Sequence, residues 1–267
     1  DTIMASIMFA NNEIGTVQPI KELATIAHAH NILFHTDAVQ AFCHEAINVK
    51  EMGIDLLSAS AHKIYGPKGV GLLYIRRGVK IQNLLDGGQQ EGGRRPTTEN
   101  VPGIVGFAEA ARLASGERES EHERQAQLRD HTIKRILAEI PYSRLNGHPT
   151  KRLANNVNIS FEFIEGEGML LQLAFKGICV SSGSACTSGS LDPSHVLLAI
   201  GLKHEVAHGS MRMTTGRDTT LEDIDFAVDT LKQNLRSMSP LWEDFKAGHT
   251  TSIISEMEAE RKAKRHA

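Results

Sequence analysis

The chain has 267 residues, 40% of them apolar and 23% charged, with a formal net charge of -3. That length supports one large α/β domain or two smaller ones with a sizeable core, and the mildly acidic balance argues against nucleic acid or a membrane surface as a partner. No run approaches the roughly 18 apolar residues of a membrane helix, no signal peptide is visible, and three scattered cysteines without a C-x-x-C (Cys43, Cys179, Cys186) point to a reducing, cytoplasmic setting and not to a disulfide framework or structural zinc.

The elements follow in chain order. "TIMASIMFA" (2–10) reads as a buried strand closed by Asn11-Asn12-Glu13. Pro19 opens a helix over "IKELATIAHAH". "ILFHTD" is a strand ending at Asp37, and a short helix is expected from Ala38. "DLLSAS" (55–60) and "VGLLYI" (70–75) are further strands. This strand–helix–strand rhythm predicts a mostly parallel sheet, whose ligands sit beyond the carboxyl ends of its strands. Asn12, Asp37 and Lys63 all fall just past such ends.

"GGQQEGGRRPTTEN" (87–100) reads as a polar glycine-rich loop, followed by a helix over about 101–114 and a charged amphipathic helix. A domain boundary is expected near Gly116. Beyond it come a strand near 157–161, a helix near 167–176, strands near 178–181 and 210–214, and a helix from Leu221 to about Met238. The tail "ISEMEAERKAKRHA" is charged, either helical or disordered. Cys43 and Cys179 lie in apolar runs and read as packing residues.

Three stretches carry candidate chemistry. In "SASAHKIYGPKGVG" (58–71) Lys63 emerges from an apolar strand directly into a turn. Burial lowers a lysine pKa because desolvation disfavours the charged form, so an amine in an apolar pocket there could form an imine with an aldehyde. Pyridoxal phosphate is such an aldehyde, and it asks for an acid partner at its ring nitrogen. Asp37 in "HTDAVQ" is the candidate. The plain reading, with Lys63 a satisfied loop lysine and Asp37 a helix N-cap, is the commoner outcome for these local patterns. A P-loop is excluded by the spacing of "GPKG".

"VSSGSACTSGS" (180–190) surrounds Cys186 with small residues between Gly183 and Gly189, which predicts a reachable thiol. "HEVAH" (204–208) matches the H-E-x-x-H pattern, but Gly201 and Gly209 bracket it and leave little helix, so no metal is expected.

Taken together, "ANNEIGTVQPI", "HTDAVQ", "SASAHKIYGPKGVGLLYIR", "VSSGSACTSGSLDPSHVLLAIGL" and "SMRMTTGRDTTLEDID" resemble cysteine desulfurases of the NifS/IscS type, over about Asp1 to Gly248. These are class V aminotransferase-family enzymes of the pyridoxal-phosphate-dependent aspartate-aminotransferase-like fold, fold type I. The resemblance implies an α/β chain: residues 1–116 as the C-terminal part of the cofactor-binding large domain with a mostly parallel sheet, 117–248 as a C-terminal α+β small domain carrying the cysteine loop, and 249–267 as a charged tail.

It further implies that Lys63 is the Schiff-base lysine and later the acid/base at Cα, that Asp37 pairs with the pyridine nitrogen, and that Gln40 hydrogen-bonds the ring hydroxyl. Ser60 and His62 contact the phosphate, and His62 stands beside the catalytic lysine. Asn12 lies near the ring hydroxyl and the substrate carboxylate, Arg212 clamps that carboxylate, and Cys186 accepts sulfur. Thr98 reaches the phosphate of the neighbouring subunit of a homodimer. L-cysteine would give L-alanine and a persulfide on Cys186, passed to an iron–sulfur scaffold or another sulfur acceptor. The alternatives are a selenocysteine lyase-like enzyme, or a truncated, non-catalytic dimerisation or scaffold-binding module.

Two departures stand out. The family loop usually reads Arg-x-Gly-Thr, but here Arg95-Pro96-Thr97-Thr98 puts threonine where glycine allows positive φ. The family also carries a long amino-terminal portion before the first strand found here. It holds a phosphate-gripping turn and a ring-stacking histidine. Either another chain supplies that portion or this chain is a piece of a longer one, and the isolated chain is expected to bind cofactor poorly, with weak or absent turnover.

Overall fold

A computed structural model describes residues 1–164, 166–182 and 193–238. They divide into two compact units, Asp1–Ala126 with His148–Ala154, and Gln127–Gly147 with the chain from Asn155 onward.

In the first unit, Pro19 precedes helix α1 (Ile20–Ala29), which buries Ile20, Ala24 and Ala27 at helical spacing. The sheet runs β1 (Met4–Ser6), β2 (Leu33–Asp37), β3 (Leu56–Ser60) and β4 (Gly71–Ile75), in that spatial order. The first three are parallel and β4 is antiparallel to β3. Along β2 the alternation is plain, with Phe34 and Thr36 buried and Asp37 exposed. The first strand is shorter than the sequence implies and largely exposed, Met4 being 47% accessible. Only Phe9 and Ala10, past its end, enter the core.

Asp55 fixes the amino-terminal end of this sheet. Its side chain is fully buried. Oδ2 accepts from the backbone N–H of Phe34 at 2.7 Å and meets His28 Nε2 at 2.8 Å, while Oδ1 accepts from Arg76 Nε. One carboxylate thereby joins the end of α1, the start of β2 and the residue after β4. Burial pushes its pKa up, but the Phe34 amide, His28 and Arg76 outweigh that and hold it below its ordinary value.

No helix forms after Ala38. The segment closes as turns, with Phe42 N–H donating to Ala38 O at 2.7 Å and Cys43 at φ +62. The positive φ interrupts helical geometry there. After β4 comes a helical turn, α2 (Gln90–Gly93), whose Glu91 and Gly92 depart from helical geometry. α3 (Val101–Glu139) is then one helix of 39 residues, running through Gly116 without a break, and the units part within it.

In the second unit β5 (Ser143–Leu145), β6 (Asn156–Phe161) and β7 (Ser210–Thr214) form an antiparallel sheet. Every residue of β6 is buried. α4 (Gly166–Ala174) and α7 (Leu221–Met238) contribute Met169, Leu173, Val228 and Leu231 to the core against Ile159 and Met211. The short α5 (His195–Ala199) and α6 (His204–His208) precede β7. Gly209 is forced, since a Cβ there would strike the carbonyl oxygen of Phe161. Where the sequence suggests a strand near 178–181, only Ser181 pairs, through a bridge to Arg212. Cys43 is half-buried and packs against the core of the first unit, as its apolar run suggests, whereas Cys179 is exposed and does not.

Two outcomes are expected. Asp55→Asn should cost about 2 kcal/mol at pH 7, the loss of charge-assisted hydrogen bonds to the half-exposed His28 and Arg76. Because the carboxylate's folded pKa is depressed, its stabilisation is present above the unfolded value of 3.8 and is lost as pH falls through the folded value. Urea denaturation should therefore show a deficit that shrinks in acid; an equal deficit at pH 7 and pH 3 would contradict this. Gly209→Ala should destabilise the second unit by about 3 kcal/mol through overpacking, and a wild-type melting curve would rule the clash out.

Candidate active site

The parallel pairing of β2 with β3 sets Asp37 opposite Ser58, and the N–H of Ala38 donates to Ser58 O at 2.9 Å. Both strands thus end at one edge. From the end of β3 the chain enters a 3-10 turn over Ala61–Ile64, with Tyr65 left-handed at φ +63. Gly66 closes it by donating to Ala61 O, and a Cβ at Gly66 would sit 2.9 Å from that same oxygen. Ala61 and Ile64 are buried, so His62 and Lys63 are the residues this turn presents outward, and both are exposed. The sequence suggests an apolar pocket around the Lys63 amine; in this chain the residue faces solvent instead, on a turn whose apolar members point inward.

Asp37 Oδ1 accepts from the backbone N–H of Val39 at 2.9 Å, which orients the carboxylate at the strand end. Gln40 lies half-buried in the turns that follow. Ser60 Oγ and His62 Nδ1 share a hydrogen bond of 2.7 Å beside Lys63. Asn12 sits half-buried in a turn built by Asn11, whose Oδ1 accepts from the N–H groups of Glu13 and Ile14. That turn is tied to its strand's neighbour, since Phe9 N–H donates to Asp37 O at 2.8 Å. The chemistry of this donor set fits pyridoxal phosphate: an outward amine for the aldehyde, an oriented carboxylate for the ring nitrogen, and a hydroxyl–imidazole pair for the phosphate.

The remaining candidates lie elsewhere. Thr98 is exposed in the loop before α3, and Thr97 does adopt positive φ, at +98, so this threonine takes the backbone that the sequence assigns to glycine. Arg95 braces that loop by donating to Pro96 O at 2.7 Å. Arg212, in the second unit, is half-buried on β7. Its N–H donates to Ser181 O at 2.6 Å and its O accepts from Ser181 N–H at 3.1 Å, which anchors the chain leading toward Cys186. Cys186 itself lies outside the described residues. In α6 the rings of His204 and His208 pack edge to face with centroids 4.6 Å apart. Among the described residues no group of three or more His, Cys, Asp or Glu is placed to hold a metal.

Two histidines escaped sequence reasoning. His44 Nε2 lies 3.3 Å from the carbonyl oxygen of Lys63, linking the turns after Asp37 to the lysine's own peptide. Burial, with His122 nearby, keeps its pKa low. His35, two residues before Asp37, bridges Ser6 and Ser58. For His35 the signal was available in the alternation of "FHTD", which puts it on the same face as Asp37. For His44 no local pattern exists, because its partner is distant in sequence.

The profile of the aminotransferase class-V family matches residues 1–226. The chain is 58% identical over 244 residues to cysteine desulfurase IscS of Methanosarcina thermophila, covering 90% of this chain and 60% of that protein. It is 57% identical over 250 residues to cysteine desulfurase IscS of Clostridium botulinum strain Hall, covering 92% and 63%. Among solved structures, a NifS-like protein superposes with a TM-score of 0.81 at 34% identity, covering 89% of this chain and 62% of that one. The NifS-like protein from Rickettsia africae gives 0.80 at 30% identity, covering 87% and 62%. The chain thus spans 60% to 63% of the length of these curated relatives. On the match of its sequence from residue 1 to 226, and on a fold shared with NifS-like proteins, the chain belongs to the class-V aminotransferase family, whose members use pyridoxal phosphate.

Proposed function

We propose that the protein to which this chain contributes is a pyridoxal-phosphate-dependent cysteine desulfurase that takes sulfur from L-cysteine. The observation that carries the reading is the common edge at which Asp37 and the Ser60-His62-Lys63 run leave parallel strands. The high identity to proteins named cysteine desulfurase supports it. In this reading the first unit is the C-terminal part of the cofactor-binding domain, and the second is the small domain with the cysteine segment.

When bound, pyridoxal phosphate supplies an aldehyde and an electron-withdrawing ring that stabilises negative charge at the substrate Cα. The residues of this chain do the rest. Asp37, anchored through Oδ1, holds the ring nitrogen protonated. Gln40 and Asn12 orient the ring hydroxyl. Ser60 and His62 bind the phosphate, joined by Thr98 of a second subunit in a homodimer. Arg212 clamps the substrate carboxylate with two parallel N–H donors. The Lys63 amine takes the Cα proton and later returns a proton to the carbon skeleton. The Cys186 thiolate forms a bond to the substrate sulfur as the substrate's C–S bond breaks. The carbon fragment is protonated and leaves as L-alanine, and the sulfur stays on Cys186 as a persulfide for an iron–sulfur scaffold or another acceptor.

The test is borohydride reduction of the purified protein to which this chain contributes, after incubation with pyridoxal phosphate. Label is expected on the Lys63 peptide in preference to Lys68, and Lys63→Ala should abolish that label. Incubation with L-cysteine should add the mass of sulfur to the Cys186 peptide. Cys186→Ala should remove the persulfide and leave labelling of Lys63 intact. Equal labelling of Lys63 and Lys68, or persulfide formation that survives Lys63→Ala, would overturn the reading.

A further inference from the structure

The face of the sheet that carries Asp37 is polar beyond what binding a cofactor requires. On β2, Phe34 and Thr36 point into the core, so His35 and Asp37 share the opposite face. The His35 ring spans three strands there. Its Nδ1 lies 2.7 Å from Ser6 Oγ on β1, and its Nε2 lies 2.9 Å from Ser58 Oγ on β3. Ser6 is the register partner of His35, while Ser58 is the register partner of Asp37. The ring therefore leans along the strand toward Asp37 and grips the residue that Asp37 pairs with.

We propose that His35 is a positioning residue for Asp37: by bridging Ser6 and Ser58 it locks the carboxyl end of β2 between its neighbours and so fixes where the carboxylate points. This rests on the role proposed for Asp37 above. The charged group facing the ring is Asp37, on its own strand; the flanking strands present the uncharged hydroxyls of Ser6 and Ser58. Burial pushes the imidazole pKa down, against the opposing pull of the Asp37 carboxylate. An imidazole kept neutral near pH 7 has one nitrogen that donates and one that accepts, and a hydroxyl can complement either. It can orient the strand end without forming an ion pair that would compete for the Asp37 carboxylate. A permanent cation at this position would do the opposite.

Two measurements decide the matter, and the first needs no cofactor. In the chain without pyridoxal phosphate, the His35 ring should titrate by nitrogen NMR with a midpoint below the ordinary value of about 6.5. Asp37→Asn should move it lower still, because the carboxylate raises it. A midpoint at or above the ordinary value, or one unmoved by Asp37→Asn, overturns the coupling. In the second, the dissociation constant for pyridoxal phosphate should rise roughly fivefold in His35→Leu, the loss of about one net hydrogen bond. His35→Gln, whose amide can meet both hydroxyls, should restore it to within about twofold of wild type. Equal affinities for the Leu and Gln variants, with matching thermal melts, would mean that the bridge has no part in placing Asp37. If the whole wild-type protein fails to trap the cofactor on Lys63, the functional reading fails, and the titration still decides whether His35 and Asp37 are coupled.

Discussion

Everything proposed for this chain rests on the parallel register of β2 and β3. With Asp37 opposite Ser58, the carboxylate and the turn bearing Lys63 leave the sheet at the same edge. A slip of one residue would send Asp37 to the core face, where Phe34 and Thr36 now lie, and bring Thr36 out in its place. The register is held at both ends. Asp55 clamps the amino-terminal end through Phe34, His28 and Arg76. At the carboxyl end the Ala38 amide bonds Ser58 O, and His35 bridges the flanking strands.

The division of labour between those two clusters follows from burial. Asp55 is sealed from water and its charge is neutralised by protein donors, so it serves the fold. Asp37 is exposed and anchored through Oδ1, which leaves the carboxylate available to a ligand. The same contrast separates the inward and outward members of the 3-10 turn. Ala61 and Ile64 fix it to the core, and His62 and Lys63 are carried on it.

Much of this was legible in the sequence where the signal is local. The strands read in "ILFHTD" and "DLLSAS", the helical spacing of Ile20, Ala24 and Ala27, and the strand read near 157–161 all match the elements that form. What failed did so through longer-range or backbone effects. Ala38 opens turns and not a helix, because Cys43 sits at positive φ. Thr97 holds a left-handed backbone despite its branched side chain, in a loop braced by Arg95. The charged stretch after Ala114 reads as a separate helix, yet it continues α3, since nothing at Gly116 breaks the hydrogen-bond ladder. On the candidate site, Lys63, Asp37, Ser60 and His62 stand in local motifs, while the bonds that His35 and His44 make nearby do not. The alternation of "FHTD" sets the face of His35, but its partners Ser6 and Ser58 and the Lys63 carbonyl that His44 meets lie on other strands and turns, which no spacing rule encodes.

We propose that the Asp37 carboxylate and the Lys63 amine serve a single pyridoxal phosphate, and the nitrogen NMR shift of ring-labelled pyridoxal phosphate bound to the whole protein decides it. The wild type should hold a protonated ring nitrogen that becomes neutral in Asp37→Asn, in a complex that Lys63→Ala cannot form covalently. A ring nitrogen whose protonation ignores Asp37 while the cofactor is attached to Lys63 would contradict it.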